Sequence, residues 1–179
     1  QIHALLSGAK RPLVIIGGAG GDDESISDIE SFCARAHLPV AVSFRRHDVF
    51  NHALANYIGE LGTGPNPKLS ERVKQADVVL CIGARLNEIT TQGYTLLGEP
   101  PQPMAKLIHV HPESAELGKV YRPDIGMAFH MKPFAAALAG DFSVDGRGWA
   151  EWTQSARAEY EAWTDIPEGS GKWRGADMT

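Results

Sequence analysis

The segment PLVIIGG, residues 12–18, is apolar at every position up to its glycines. A strand with no polar side must be covered on both faces, which is the setting of a central strand in a parallel sheet. SISDIESFCARAH (25–37) follows, with Ile26, Ile29, Phe32, Cys33 and Ala36 at helical spacing. A buried strand followed by an amphipathic helix is one crossover unit, and the unit repeats. LPVAVSF (38–44) and YIGELG (57–62) read as a second and a short third strand, and NPKLSERVKQA (66–76) as a helix with Asn66 as N-cap and Pro67 in its first turn. DVVLCIGARL (77–86), KLIHVHP (106–112) and IGMAFH (125–130) supply three more strands, with a helical SAELGKVY (114–121) before the last and KPFAAALAG (132–140) as the closing helix. This alternation specifies an α/β fold: a doubly wound, about six-stranded, mainly parallel sheet with helices on both faces, three-layered and Rossmann-like.

Residues 92–103, QGYTLLGEPPQP, read as a long loop at the surface or facing a partner. Past Gly140 the pattern changes. DFSVDGRG (141–148) reads as a linker and WAEWTQSARAEYEAW (149–163) as a helix with Trp149, Trp152, Ala156, Tyr160 and Trp163 on one stripe. Such a stripe can be a ligand or nucleic-acid platform, or can bury against this or a neighbouring domain, which is its commoner use. TDIPEGSGKWRGADMT, at the end, has no periodicity and reads as a truncated linker. The chain thus divides into a central α/β domain, 1–140, and a linker with an amphipathic helix, 141–179, leading toward a further domain.

A length of 179 residues, 43% of them apolar, suits one globular domain with a complete core. The net charge of −5, with no basic run, argues against nucleic-acid and anionic-membrane partners. No apolar stretch approaches the roughly 20 residues that span a bilayer, and no basic-then-apolar signal opens the chain. Cys33 and Cys81 fall in a helix and a buried strand, as core residues of a reducing, cytoplasmic compartment do. The chain begins at Gln1 rather than Met, which suggests a piece of something longer.

In such a sheet ligands lie at the carboxyl ends of strands, near the reversal of strand order. The residues that matter are therefore the GGAGG loop, SFRRHD (43–48), GARLNE (83–88), HVHPE (109–113) and FHMK (129–132). A dinucleotide fingerprint from Gly18 and Gly20 would need glycine where Asp23 stands. Asp22, Asp23 and Glu24 also place carboxylates where an anion would sit at the helix start. The loop is then a tight strand-to-helix turn or a ligand contact, with even weight on each. Arg45, Arg46 and His47 are a phosphate clamp or, somewhat better, a solvated loop pairing with Asp22 and Asp23. His109 and His111 project from one strand face, and His130 could join them as a zinc set; pairing with backbone carbonyls is the commoner fate of such imidazoles.

The order AKRPLVIIGG, LPVAVSF, YIGELG, KLSERVKQADVVLCIGARLNEITTQGY and LIHVHPESAELGKVYRPDIGMAFHMKPFAAAL resembles the central domain of thiamine-diphosphate-dependent enzymes of the acetolactate synthase type, over residues 1 to about 140. The resemblance implies a three-domain parent, a lyase or transferase acting on 2-oxo acids or similar substrates. Its N-terminal domain carries the catalytic glutamate, and its C-terminal domain binds thiamine diphosphate through Mg²⁺. The Gly-Asp-Gly motif of that last domain is not among these residues; the nearest string is GDF (140–142). The chain by itself is therefore expected to be inactive, with no catalytic residue of its own. The resemblance further implies the missing N- and C-terminal domains as partners and a homo-oligomeric full-length enzyme.

Flavin-binding members hold FAD in this domain. By position their contacts fall on Gly17, Gly18 and Ala19, on Ser43 and Phe44, on Gly62, on Gly83 and Arg85, on His111 with Pro112, and on His130 with Met131. Thr63-Gly64-Pro65 stands where Met-His-Gly is usual, and Asn87 and Ile89 replace an acid and an arginine. His111 and His130 stand where carboxylates bond the ribose or adenine end. A carboxylate accepts two hydroxyl hydrogen bonds, whereas neutral imidazole has one acceptor and one donor. Other relatives bind ADP or nothing in this domain, and FAD therefore ranks below those two outcomes combined. Three functions remain: a nucleotide-binding (FAD or ADP) middle domain, a spacer between catalytic domains, and, with least support, an independent NAD-binding protein.

Overall fold

Pro12–Ile16 (β1) is buried at all five positions, as its unbroken apolar run requires. In the computed structural model, which describes residues 1–165, it lies at the centre of one six-stranded sheet. The other strands are Val40–Val42 (β2), Tyr57–Glu60 (β3), Val78–Ile82 (β4), Lys106–His111 (β5) and Ile125–Ala128 (β6). Their order is β3-β2-β1-β4-β5-β6 and every pairing is parallel, so the winding direction reverses between β1 and β4. Register at that junction is held partly by Asp77, whose carboxylate accepts from the backbone N–H groups of Lys10 and Arg11 at 2.8 and 2.9 Å.

The helices are Ile2–Ser7 (α1), Asp23–Arg35 (α2), Pro67–Gln75 (α3), Met131–Ala139 (α4) and Ala150–Thr164 (α5). One face of the sheet, carrying Val14, Val40, Leu80 and Ile108, packs on Phe32 of α2 and Phe134 and Leu138 of α4. The other, carrying Leu13, Ile15, Val79 and Leu107, packs on Leu69 and Val73 of α3 and on Leu96, Leu97 and Tyr121. These two cores are the doubly wound, three-layered arrangement read from the sequence. Asp22 caps α2 with a reciprocal Ser25 pairing, and Asn66 caps α3 ahead of Pro67 as expected.

Some boundaries differ. SAELGKVY is not an α-helix: only Ser114–Glu116 turn, as a 3₁₀ segment, because Gly118 takes φ +77° and the chain then opens toward Pro123. The second, third and fourth strands end at Val42, Glu60 and Ile82, earlier than their apolar runs, and the residues beyond them form loops at the carboxyl edge of the sheet. Gly59, at φ +122°, absorbs a register shift opposite Val40 and Ala41. The N-terminal helix α1 carries no capping signal and was not readable from the sequence.

The aromatic stripe on α5 is used mostly as packing. Trp149 is buried with its Nε1–H on the Ala36 carbonyl, Trp152 donates to the Pro12 carbonyl, and Trp163 is exposed. In the 92–103 loop Leu96 and Leu97 turn inward while Glu99 and Pro101 stay exposed. Cys33 and Cys81 are buried free thiols, and burial pushes Cys81 up to about 12. No helix among the described residues is long and apolar enough to cross a membrane. The unpatterned end, from residue 166 on, lies outside the described residues.

Candidate functional site

At the carboxyl edge of the sheet the glycine loop after β1 is laced to the backbone after β4: Gly17 donates to the Ile82 carbonyl at 2.8 Å and Ala19 to that of Gly83 at 3.1 Å. A Cβ on Gly17 would run into the Gly83 carbonyl oxygen and come within 2.5 Å of Ala84 Cα. Gly17 is therefore glycine for close backbone approach. Gly18 has a different reason. The place its Cβ would fill is taken by the guanidinium of Arg46, whose Nε and Nη2 grip Asp48 at 2.9 and 2.8 Å, leaving Nη1 over Gly18.

Beside this loop lies a cavity of about 320 Å³. β1 and β2 end in it with Gly18, Ala19, Ser43 and Phe44, and β4 and β5 with Gly83, Arg85 and His111. Arg46, Asn87 and Thr90 complete the polar wall. The sequence had pointed to Arg46 only as one of two readings, and to Thr90 not at all. Thr90 sits in a turn capped by Asn87, whose Oδ1 accepts its backbone N–H at 3.0 Å, and no local pattern places that turn at the cavity.

The remaining expected contacts fall elsewhere. Gly62 lies under the Phe44 ring, where a Cβ would come within 2.7 Å of it. Pro112 and His130 gather at Gly20, 3.4 and 3.2 Å from its Cβ position, and Met131 packs on Gly21 and Gly83. His130 is exposed at the N-cap of α4, and among the described residues no set of three His, Cys, Asp or Glu side chains converges as a metal site.

The lining of the cavity holds two arginines and no carboxylate. The acidic trio at the start of α2 does not reach it. Asp22 is occupied by the Ser25 cap and by Lys132 at 2.9 Å, and Lys132 also holds Glu24 at 2.7 Å. The cap and Lys132 pull the Asp22 carboxyl down to about 2. The expected pairing of Arg45, Arg46 and His47 with Asp22 and Asp23 is therefore not found. Arg46 is paired with Asp48, His47 with Glu60 at 3.1 Å, and Arg45 lies over the Phe44 ring. The nearer partners win because Lys132, in the first turn of α4, reaches the α2 terminus first.

His109 and His111 share one face of β5, their rings 6.1 Å apart, at 2% and 1% exposure. Their hydrogen bonds fix the same Nε2–H tautomer but leave opposite groups over, an acceptor on His109 and a donor on His111. The Ala84 carbonyl can only accept, so His109 Nε2, 3.0 Å away, carries the proton and Nδ1 keeps a lone pair. The Glu113 backbone N–H can only donate, so His111 Nδ1, at 3.1 Å, is the acceptor and Nε2 carries the proton. His109 Nδ1 and His111 Nε2 are both buried without a partner among the described residues. Each such orphan costs about 1–3 kcal/mol unless something meets it. His109 also walls a second cavity of about 310 Å³, which shares Arg85 and Asn87 with the first.

Burial lowers the pKa of both histidines, so both are neutral near pH 7. A folded-state pKa below the unfolded value of about 6.5 means that the unfolded chain takes up protons first. Stability is therefore expected to be full above about pH 6.5 and to fall as the pH drops toward 5, before the carboxylates titrate. Urea unfolding at pH 8, 6.5 and 5 checks this; a midpoint that does not move between 6.5 and 5 contradicts it.

An open, doubly wound parallel sheet with an arginine-lined cleft at the point where strand order reverses is a Rossmann-like α/β domain. Residues 1–138 match the family model described as thiamine pyrophosphate enzyme, central domain, and the chain belongs to that family. It is 28% identical over 146 residues to a sulfoacetaldehyde acetyltransferase of Rhodobacter capsulatus, covering 81% of this chain and 22% of that protein. It is 27% identical over 153 residues to the acetolactate synthase isozyme 1 large subunit of Escherichia coli, covering 84% and 25%, and 26% identical over 132 residues to the chloroplastic acetolactate synthase 1 of Nicotiana tabacum, covering 74% and 19%. The chain thus spans a quarter or less of the length of these relatives.

Proposed function

We propose that these residues are the middle domain of a longer thiamine-diphosphate-dependent lyase or transferase acting on 2-oxo acids or aldehydes. In it the domain spaces and packs the flanking domains and holds an adenine nucleotide by its phosphates. The family and the relatives' names support the first part. Thiamine diphosphate, with Mg²⁺, would be held by other domains of a homo-oligomeric enzyme, where it supplies a nucleophilic carbon and an electron sink. This chain's residues bind and position and carry no catalytic group. With thiamine diphosphate and Mg²⁺ added, the 179 residues are expected to show neither carboligation nor decarboxylation.

The observation that carries the nucleotide part is the strand-end cavity, with Arg46 and Arg85, no carboxylate, and a histidine whose proton faces out of its own backbone pairing. Such a wall suits a diphosphate. It does not suit FAD held by the usual ribose contact, since His111 presents a donor there and His130 stands exposed at Gly20. ADP shares that ribose and is preferred as the smaller ligand for a cavity of about 320 Å³, held by its diphosphate alone. Isothermal titration of the chain with ADP and FAD is expected to give saturable binding of ADP, weaker FAD, and roughly a tenfold or greater loss with Arg46→Met. Absence of ADP binding would leave the spacer role alone; FAD binding more tightly than ADP would reverse the choice of nucleotide.

A further inference from the structure

Both arginines of the strand-end cavity are already answered by carboxylates of the chain, though unequally. Arg85 meets Glu116 only at 3.6 Å, and Glu116 lies nearer to Lys119, at 3.0 Å. Arg46 is held in full: Asp48 Oδ1 accepts from its Nε at 2.9 Å and Oδ2 from its Nη2 at 2.8 Å. A guanidinium gripped through two parallel hydrogen bonds presents to a carboxylate the same fork that it presents to a phosphoryl group. The chain therefore fills this fork with an anion of its own, with the guanidinium lying against Gly18 at the cavity wall.

The backbone around the pair is fixed, whereas the side chains are not. One carboxylate pins both neighbours of Arg46: Glu60 accepts the Arg45 backbone N–H at 2.8 Å and meets His47 Nε2 at 3.1 Å. Arg45 stands at φ +59°, a left-handed conformation that a non-glycine residue keeps only where its surroundings impose it. The Arg46 N–H is itself on the Ser43 carbonyl at 3.1 Å. The Arg46 and Asp48 side chains, by contrast, are 37% and 67% exposed. An exchange of partners can thus proceed by side-chain rotation with the loop in place.

We infer that Asp48 is an internal competitor for the strand-end cavity: it occupies the Arg46 fork until a phosphoryl group enters and displaces it. This rests on the anion reading of the cavity and adds a regulation to it. An anion that cannot outcompete a carboxylate already in contact leaves the pair closed. Protonation does not open it near neutral pH either, because the Arg46 hydrogen bonds hold the Asp48 carboxyl below the usual carboxylate range.

The chain carries its own control. Asp145 and Arg147 form a second pair two residues apart, at 2.6 Å, and neither lines the cavity. Titration calorimetry with inorganic pyrophosphate compares the unsubstituted chain with Asp48→Asn and Asp145→Asn, each of which removes one negative charge. Asp48→Asn is expected to bind about fivefold more tightly, and Asp145→Asn to bind as the unsubstituted chain does. In the unsubstituted chain pyrophosphate should also move the ¹³C carboxyl resonance of Asp48 and leave that of Asp145 in place. Equal or weaker binding by Asp48→Asn would overturn the inference, the second result making Asp48 a support that orients Arg46. So would an equal gain in both variants, which is an effect of net charge alone, or an Asp48 resonance that stays put while pyrophosphate binds. In each of these cases bound pyrophosphate leaves the anion reading standing. If neither the unsubstituted chain nor Asp48→Asn binds pyrophosphate, that reading falls and the inference with it.

Discussion

Gly17→Ala is expected to destabilise the chain by about 3 kcal/mol or more, enough to leave much of a marginally stable domain unfolded. The added methyl has backbone on its far side, Gly83 and Ala84, and backbone at the strand-to-helix turn cannot swing aside as the tip of a long side chain can. The control is Gly148→Ala, where a Cβ meets nothing within 4 Å and the change should stay within about 0.5 kcal/mol. Urea unfolding followed by tryptophan fluorescence separates the two; equal midpoints would mean that the β1 and β4 ends can part without cost. The same substitution should also abolish the proposed ADP binding in whatever folded fraction remains, since Gly18 and Gly83 border the cavity.

Arg157→Leu should cost about 2–4 kcal/mol, far more than a surface charge change. Its Nη1 lies 2.9–3.1 Å from the carbonyl oxygens of His52, Leu54 and Tyr57, and its Nε bonds Glu161 at 2.7 Å. Leucine preserves much of the packing but strands those carbonyls where the loop enters β3. Arg157→Lys should recover only part of the loss, because one ammonium cannot reproduce the planar fork. Glu161→Gln removes only an exposed i,i+4 ion pair and should cost under about 1 kcal/mol. If Arg157→Leu and Glu161→Gln melt alike, the carbonyl cluster is not what fastens α5 to the sheet.

The sheet was legible because its strands carry no polar alternation: PLVII and VVLCI read as central and parallel, and the Asn66 cap marks one of the helices that cross between strands, whereas the Asp22 cap of α2 was not read. SAELGKVY misled because its apolar spacing is helical while Gly118 ends the turn through a backbone angle the pattern does not record. In the site, Gly18, Ser43, Arg85 and His111 were legible from a positional rule, that strand ends bear ligands. The seat of Arg46 on Gly18 and the arrival of Thr90 were not, since each depends on where a separate loop comes to rest. Nor could the sequence tell the two β5 imidazoles apart. Their tautomers are set by a carbonyl 25 residues upstream and an amide two residues downstream.

The sheet order has a kinetic side. β1 meets β2 after a short stretch of chain, but Val14 meets Leu80 only after some sixty intervening residues have been looped back, a closure that is slow to find. The β1-β2-β3 half, with α2, can gather from its own neighbours in sequence, and the β4-β5-β6 half likewise. The cleft takes Gly18 and Ser43 from one half and Gly83 and His111 from the other, so neither half contains it. It exists only where β1 and β4 are paired, so an intact cleft reports on the joining of the two halves rather than on either half alone.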